Sequence, residues 1–266
     1  MRSIAIMNQK GGVGKTTTAV NVSAALAATG QRVCLIDLDP QAHATLHFGI
    51  EPRPETPSIY DVLTGKTRLA EVRRQVAENL WVIGSHLDLA AAEIELAGVV
   101  GREVILRDKL DEDHDAEFDY LLVDCPPSLG VLTLNALAAV EEVFIPLQPH
   151  FLALHGLSKL LETVDLVARR LNNRLRISGV ILCMYDAGTR LAAEVSQDVD
   201  DFFRRARDQE TPWAQTITFQ TRIRRNVRLA EAPSFGQSIF QYAPGSNGAE
   251  DYQQLAREIL SVGTGR

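Results

Sequence analysis

The sequence predicts an α/β fold: a mostly parallel, twisted sheet with helices on both faces. Three observations carry this. Short apolar runs alternate with helical patterns along the chain, the order that builds a parallel sheet through right-handed crossovers. Runs such as Tyr120-Leu121-Leu122-Val123 are apolar without interruption, the mark of strands buried on both faces. The first run, Ile4-Ala5-Ile6-Met7, feeds a glycine-rich loop, Lys10-Gly11-Gly12-Val13-Gly14-Lys15-Thr16-Thr17, that opens an alanine-rich helix.

Taken in order, the strands fall at Ile4–Asn8, Arg32–Asp37, Leu80–Ile83, Tyr120–Asp124, Glu142–Leu147, Ile177–Met184 and Gln215–Phe219. The helices fall at Thr16–Ala28, Ala90–Leu110, Leu132–Ala139, Leu152–Leu171, Leu191–Arg207 and Gly248–Leu260. The proline-rich stretch from Glu51 to Pro57 reads as a surface loop. With 266 residues, 45% of them hydrophobic, the expectation is one domain over 1–266, with no helix-turn-helix extension before the first strand. No apolar run reaches the ~18 residues that span a bilayer, and the chain enters its first strand too early for a signal peptide. Cys34, Cys125 and Cys183 are odd in number, far apart and free of any CxxC spacing. They suggest neither a disulfide framework nor a metal site, and the expected compartment is the cytoplasm.

The chemistry concentrates at three strand ends, which a parallel sheet brings together at its carboxyl edge. A glycine loop between strand and helix converges backbone N–H groups and a helix N-terminus on one anion. Gly11, Gly12, Val13, Gly14, Lys15, Thr16 and Thr17 therefore read as a phosphate cradle, with Lys15 reaching the β- and γ-phosphates and the Thr16 hydroxyl ligating Mg²⁺. The second strand ends in Asp37-Leu38-Asp39-Pro40-Gln41, with Pro40 breaking it. The fourth ends in Asp124-Cys125-Pro126-Pro127-Ser128. A hydrophobic run closing on Asp is the Walker-B pattern, whose carboxylate holds Mg²⁺. Asp39 is the candidate for orienting an attacking water, and Asp37 serves equally well as a structural carboxylate. The six histidines are scattered without metal-ligand spacing. Adenine contacts are expected from the loops near Met184 and Ile223. The loop has a second lysine, Lys10, at its entrance.

Lys10–Thr17, Asp37–Gln41 and Asp124–Ser128, with Val227-Arg228-Leu229-Ala230-Glu231-Ala232-Pro233-Ser234 and Gly248-Ala249-Glu250, resemble the ParA/Soj branch of the deviant Walker-A ATPases over essentially the whole chain. The resemblance implies an ATP- and Mg²⁺-dependent homodimer that sandwiches two nucleotides and hydrolyses ATP slowly to ADP. It implies that Lys10 reaches the partner's nucleotide, Lys15 and Thr17 bind phosphate, Thr16 ligates the metal, Asp39 is the hydrolytic aspartate, and Asp124 and Asp39 belong to the metal sphere. It also implies nonspecific binding of double-stranded DNA by the ATP dimer, association with the nucleoid, and a ParB-like protein that stimulates hydrolysis.

The charge distribution is compatible with a polyanionic partner. The chain carries a net −7, yet between Arg169 and Arg228 there are 12 Arg against 7 acidic residues. Arg225 matches the arginine of the family's I-P-R-N-V-R-L stretch, while Arg224 stands where proline is usual. Gly188 occupies the place of a second family arginine, and Arg190 is the candidate to compensate. Arg190, Arg222, Arg224, Arg225 and Arg228 form the expected DNA face. A MinD-like membrane regulator would need a basic amphipathic tail, whereas Asp251–Leu260 is net acidic and spaced for packing, so no stable membrane association is expected. An iron–sulfur carrier would need cysteines placed to bridge a cluster, and Cys125 reads as structural. A ParA-like ATPase that positions another cargo remains open, because cargo identity lies in the partner.

Overall fold

The computed structural model describes residues 1–113, 117–150 and 156–263. From the amino terminus come β1 (Arg2–Ile6), α1 (Lys15–Ala28), β2 (Val33–Asp37), α2 (His43–His47), α3 (Ile59–Leu63), α4 (Leu69–Val72), β3 (Arg73–Ala77) and β4 (Leu80–Ile83). Then follow α5 (Leu89–Glu95), α6 (Ile105–Asp111), β5 (Tyr120–Asp124), α7 (Val131–Ala139), β6 (Glu142–Leu147), α8 (Ser158–Arg170) and β7 (Arg176–Tyr185). The last third holds α9 (Arg190–Arg205), β8 (Ile217–Thr218), β9 (Ile223–Arg224), α10 (Val227–Glu231), α11 (Ile239–Tyr242) and α12 (Asn247–Gly263). The sheet order is β3-β4-β2-β5-β1-β6-β7-β8, with β9 also pairing with β7. Every described pairing is parallel except β3 with β4.

Alternate strand residues feed two cores, one on each face of the sheet. Ala5, Ile36, Leu121, Val123 and Val143 pack with α3 and α5–α9. Ile4, Ile6, Leu35, Leu122 and Phe144 pack with α1, α11 and α12. At the amino edge of the sheet, Arg2 ties three elements together. Its guanidinium bonds Glu142 of β6 at 2.8 and 3.1 Å and the Ile259 carbonyl of α12 at 2.7 Å. The apolar face of α12 (Tyr252, Leu255, Ala256, Ile259) is thereby spent on the core, and no helix among the described residues is long and apolar enough to cross a membrane.

Four expectations need correction. The helix foreseen at Ala90–Leu110 is two helices, α5 and α6, divided by a 3₁₀ turn at Leu96–Gly98 and by Gly101 at a φ of 77°; the glycines outweigh the flanking helix formers. Asn135 of α7 then accepts the Leu106 N–H at 2.9 Å and restarts the helix. The strand foreseen at Gln215–Phe219 pairs only over Ile217–Thr218. The edge strand β3 escapes the sequence reading because Arg73-Arg74-Gln75 carries no apolar run, being exposed on a sheet margin. The helix expected from Leu152 begins at Ser158, and residues 152–155, with His114 and His155, lie outside the described residues.

Gly179 of β7 lies under the ring of Phe219, which packs edge-on against Phe144. A Cβ at Gly179 would fall 2.2 Å from the Phe219 ring. Gly179→Ala is therefore expected to destabilise the protein by about 1–3 kcal/mol, read as a lowered urea midpoint with the slope unchanged.

Candidate functional site

Register builds the site. Ile6 of β1 and Asp37 of β2 both stand level with Asp124 of β5, so the three strands end together and their loops converge. The loop after β1 needs glycine where it turns: Gly12 has φ 72° and Gly14, the residue capping α1, has φ 94°. Val13 is buried beneath the loop. Gly11, Gly12, Gly14, Lys15, Thr16 and Thr17 line one wall of a cavity of about 750 Å³, a size suited to a nucleotide. Asp39, Gln41, His43 and Pro127 line it beside the loop, and Cys183, Met184, Ile223–Val227, Leu229, Ala230 and Tyr252 close the far side.

The two lysines of the loop part company. Lys15 is buried, and its ammonium donates to the Lys10 carbonyl at 3.3 Å. Burial lowers its pKa, while Asp124 and Asp39 oppose that fall. Lys10 is exposed, is not among the cavity-lining residues, and meets His150 on the loop after β6.

Three aspartates crowd the strand ends. Asp37 accepts the Thr45 N–H at 2.8 Å, the Thr45 hydroxyl at 2.6 Å and the Asp39 N–H at 3.2 Å. Thr45 also accepts the Ser85 N–H at 2.9 Å. Asp37 thus pins α2 and the end of β4, as a structural carboxylate does. Burial pushes its pKa up to about 6 against those hydrogen bonds. Asp39 lines the cavity and accepts the Gln41 N–H at 2.9 Å. Asp124 is fully buried, and neither of its oxygens completes a hydrogen bond among the described residues. Burial, then the neighbouring Asp37, holds its carboxyl well above the usual range, although the Thr16 hydroxyl and Lys15 pull the other way. A buried carboxylate supported only by Thr16 and Lys15 is expensive unless a cation meets it. No three His, Cys, Asp or Glu among the described residues form a metal cage. This donor set suits Mg²⁺, which takes few protein ligands and completes its shell with water and phosphate oxygens.

The far wall carries residues that sequence reasoning placed only loosely. Met184 adopts a φ of 50°, at the register shift between β7 and β9. Cys183 touches Gly14 and Thr18, and burial raises its thiol pKa to about 12, leaving it un-ionised. Tyr252 of α12 meets the Thr18 hydroxyl at 3.1 Å. Pattern alone offers no signal for Tyr252 or Cys183, since each lies far along the chain from the loop it touches.

The candidate DNA arginines differ in their partners. Arg190 pairs with Glu194 and Arg228 with Glu231, both at 2.8 Å on the surface. Arg222 donates to the Phe219 carbonyl and lies over the Tyr185 ring. Arg225 is exposed, lines the cavity and forms no side-chain ion pair among the described residues. Arg224 is bound to Asp251 and Glu250, so its charge is offset locally.

A buried strand, a glycine loop opening a helix and an acidic strand end beside it define a P-loop nucleotide triphosphatase. A family model described as an AAA domain matches residues 1–177. The sporulation initiation inhibitor protein Soj of Bacillus subtilis (strain 168) is 47% identical over 98% of this chain and 98% of its own length. The chromosome partitioning protein ParA of Caulobacter vibrioides is 43% identical over 98% of this chain and 94% of its own. Among solved structures, cobyrinic acid a,c-diamide synthase from Mycobacterium smegmatis, with bound ATP analog and magnesium, superposes with a TM-score of 0.83 at 34% identity, covering 100% of this chain and 96% of that one. The cell division ATPase MinD of Pyrococcus furiosus gives a TM-score of 0.76 at 25% identity, over 98% and 99%. The chain belongs to the ParA/Soj family of P-loop ATPases.

The aspartate cluster makes a pH prediction. Asp37 and Asp124 both hold protons more tightly folded than unfolded; Asp37 makes stability fall as pH rises through the window from about 4 to about 6, and Asp124, shifted in the same direction, adds to the fall. Asp124→Asn removes one of the opposed charges. The ligand-free variant should melt higher than the parent at about pH 8, with the gap shrinking toward about pH 5; differential scanning fluorimetry across that range checks it.

Proposed function

We propose that this chain is an ATP-dependent dimerising switch that grips DNA nonspecifically and, with a ParB-like partner, positions chromosome or plasmid DNA as it hydrolyses ATP to ADP and phosphate. Lys10 carries this reading. An ordinary P-loop uses one lysine, here Lys15, inside its own cavity. A second lysine at the loop entrance, exposed and outside that cavity, is placed to complete a site across an interface. Of the relatives at 43–47% identity, ParA of Caulobacter vibrioides is named for chromosome partitioning and Soj of Bacillus subtilis for inhibiting sporulation initiation; the ParA name favours the partitioning reading over the amide chemistry of the diamide synthase.

The roles follow from position. Gly11, Gly12, Val13, Gly14 and Thr17 direct backbone N–H groups and a hydroxyl at the phosphates, and Lys15 neutralises them. Thr16 and Asp124, with Asp39 beside them, would hold Mg²⁺, which would supply Lewis-acid neutralisation of phosphate charge. Asp39, level with the phosphate loop, orients water toward the γ-phosphate. Lys10 must leave His150 to act in the partner's site, so hydrolysis waits on dimerisation and then on the partner protein. Exposed Arg225 is the foremost DNA contact, with Arg190, Arg222 and Arg228 adding charge. Dimerisation doubles that surface, so DNA affinity rises by avidity and associates the ATP form with the nucleoid.

Size-exclusion chromatography with ATP and Mg²⁺ tests the switch. Asp39→Ala should hold a persistent dimer, because hydrolysis is blocked after assembly. A monomer in both parent and variant would sink the scheme. Lys10→Ala should keep ATP affinity within about threefold yet lose partner-stimulated turnover; unchanged stimulated turnover would return the protein to an ordinary P-loop ATPase.

Arg225→Glu tests the DNA reading. With ATP, the variant should dimerise normally but lose retention on plasmid DNA. The salt dependence of Arg225→Ala should fall by about two counterions per dimer, one contact from each subunit. Retention that survives Arg225→Glu would remove this arginine from the DNA face.

A further inference from the structure

Arg224 was grouped by sequence with the other candidate DNA arginines; it shares the nucleotide cavity with Arg225 but, unlike Arg225, is held by two carboxylates. It lines the nucleotide cavity together with Ile223, Met184 and Tyr252. Its guanidinium is clamped from one side. Nε donates to both Asp251 oxygens at 2.9 and 3.1 Å, and Nη2 reaches Asp251 at 2.5 Å and Glu250 at 2.7 Å. Its backbone N–H also bonds Asp251, at 2.8 Å. Nη1 carries no hydrogen bond among the described residues. Asp251 itself is 6% exposed, so the pair is shielded on the acid's side, and bidentate geometry fixes the plane of the guanidinium.

The next residue on α12 does the matching task for the other wall. Tyr252 meets the Thr18 hydroxyl at 3.1 Å, one residue beyond the cavity-lining Thr17 of α1. Successive side chains of one helix therefore hold the two sides of the cavity: Tyr252 the phosphate side, Asp251 the side formed by β9. A guanidinium whose charge is offset by two carboxylates is poorly suited to compete for DNA phosphate. Its flat, weakly hydrated face is well suited to stacking on an aromatic base.

We infer that Arg224 is a nucleoside-positioning residue, offering a stacking surface to the purine base of the bound nucleotide, and that Asp251 holds it in place. The inference rests on the ATP-binding reading above. Mg²⁺–ADP and Mg²⁺–tripolyphosphate, which shares the phosphates but lacks a base, separate its parts. Arg224→Ala should weaken ADP about tenfold, the scale of one lost base stack, and leave tripolyphosphate affinity unchanged. Arg224→Lys should lose the same factor, because an ammonium keeps the charge but not the plane. Asp251→Asn should weaken ADP in the same base-dependent manner. DNA retention at saturating ATP should survive all three. Urea midpoints near the parent's show that the variants are folded, and Arg224→Lys, which keeps the ion pair, secures that control. Equal losses for ADP and tripolyphosphate, or unchanged ADP affinity with reduced DNA retention, would overturn the assignment. Failure of the unmodified protein to bind ADP would overturn the nucleotide reading itself, an outcome distinct from any difference among the variants.

Discussion

Two carboxylates buried side by side, Asp37 on β2 and Asp124 on β5, are the constraint around which the site is arranged. Parallel pairing brings them level; burial then sets a large electrostatic cost. The fold meets the cost of Asp37 locally, with three hydrogen-bond donors from Thr45 and Asp39. It leaves Asp124 without a completed hydrogen bond, facing Lys15 and Thr16. A ligand-free protein built this way stores unfavourable energy where a cation and a polyphosphate would relieve it. Binding and local stability are thereby linked.

The same economy extends through the cavity. The phosphate side rests on one βα unit, β1 and α1, whose glycines are needed at positive φ. The opposite side is assembled from β7, β9 and α12, more than 160 residues further along. Nothing local holds these sides in relation. They are joined by the parallel sheet and by α12, which is anchored at its far end through Arg2 and Ile259 and at its near end through Asp251 and Tyr252. A change in cavity occupancy therefore has a direct mechanical route to the helix that braces it.

Much of this was legible in the sequence because it is local. Continuous apolar runs marked the central strands, and a strand–glycine–helix order marked the phosphate loop. Carboxylates at strand ends could be assigned to one edge once the sheet was known to be parallel. What escaped was short or non-local. α2, α3, α4, α10 and α11 are four or five residues long, too brief for helical periodicity and held by tertiary contacts. The exposed edge strand β3 has no apolar alternation to betray it. The acidic partners of Arg224 escaped because a run of arginines looks like a charged surface until residues 26 and 27 positions away are brought into view.

The sequence by itself determined the fold class, the glycine-rich loop, the aspartates at the strand ends and the presence of a second lysine, since each depends on residue type and spacing within a few positions. Only the tertiary structure decided which aspartate is fully hydrogen-bonded, which lysine enters the cavity, and which arginine is paired with two carboxylates. Those outcomes depend on burial and on partners contributed by other strands and helices. Electrostatic energies are set by surroundings, and the surroundings exist only after the chain has folded.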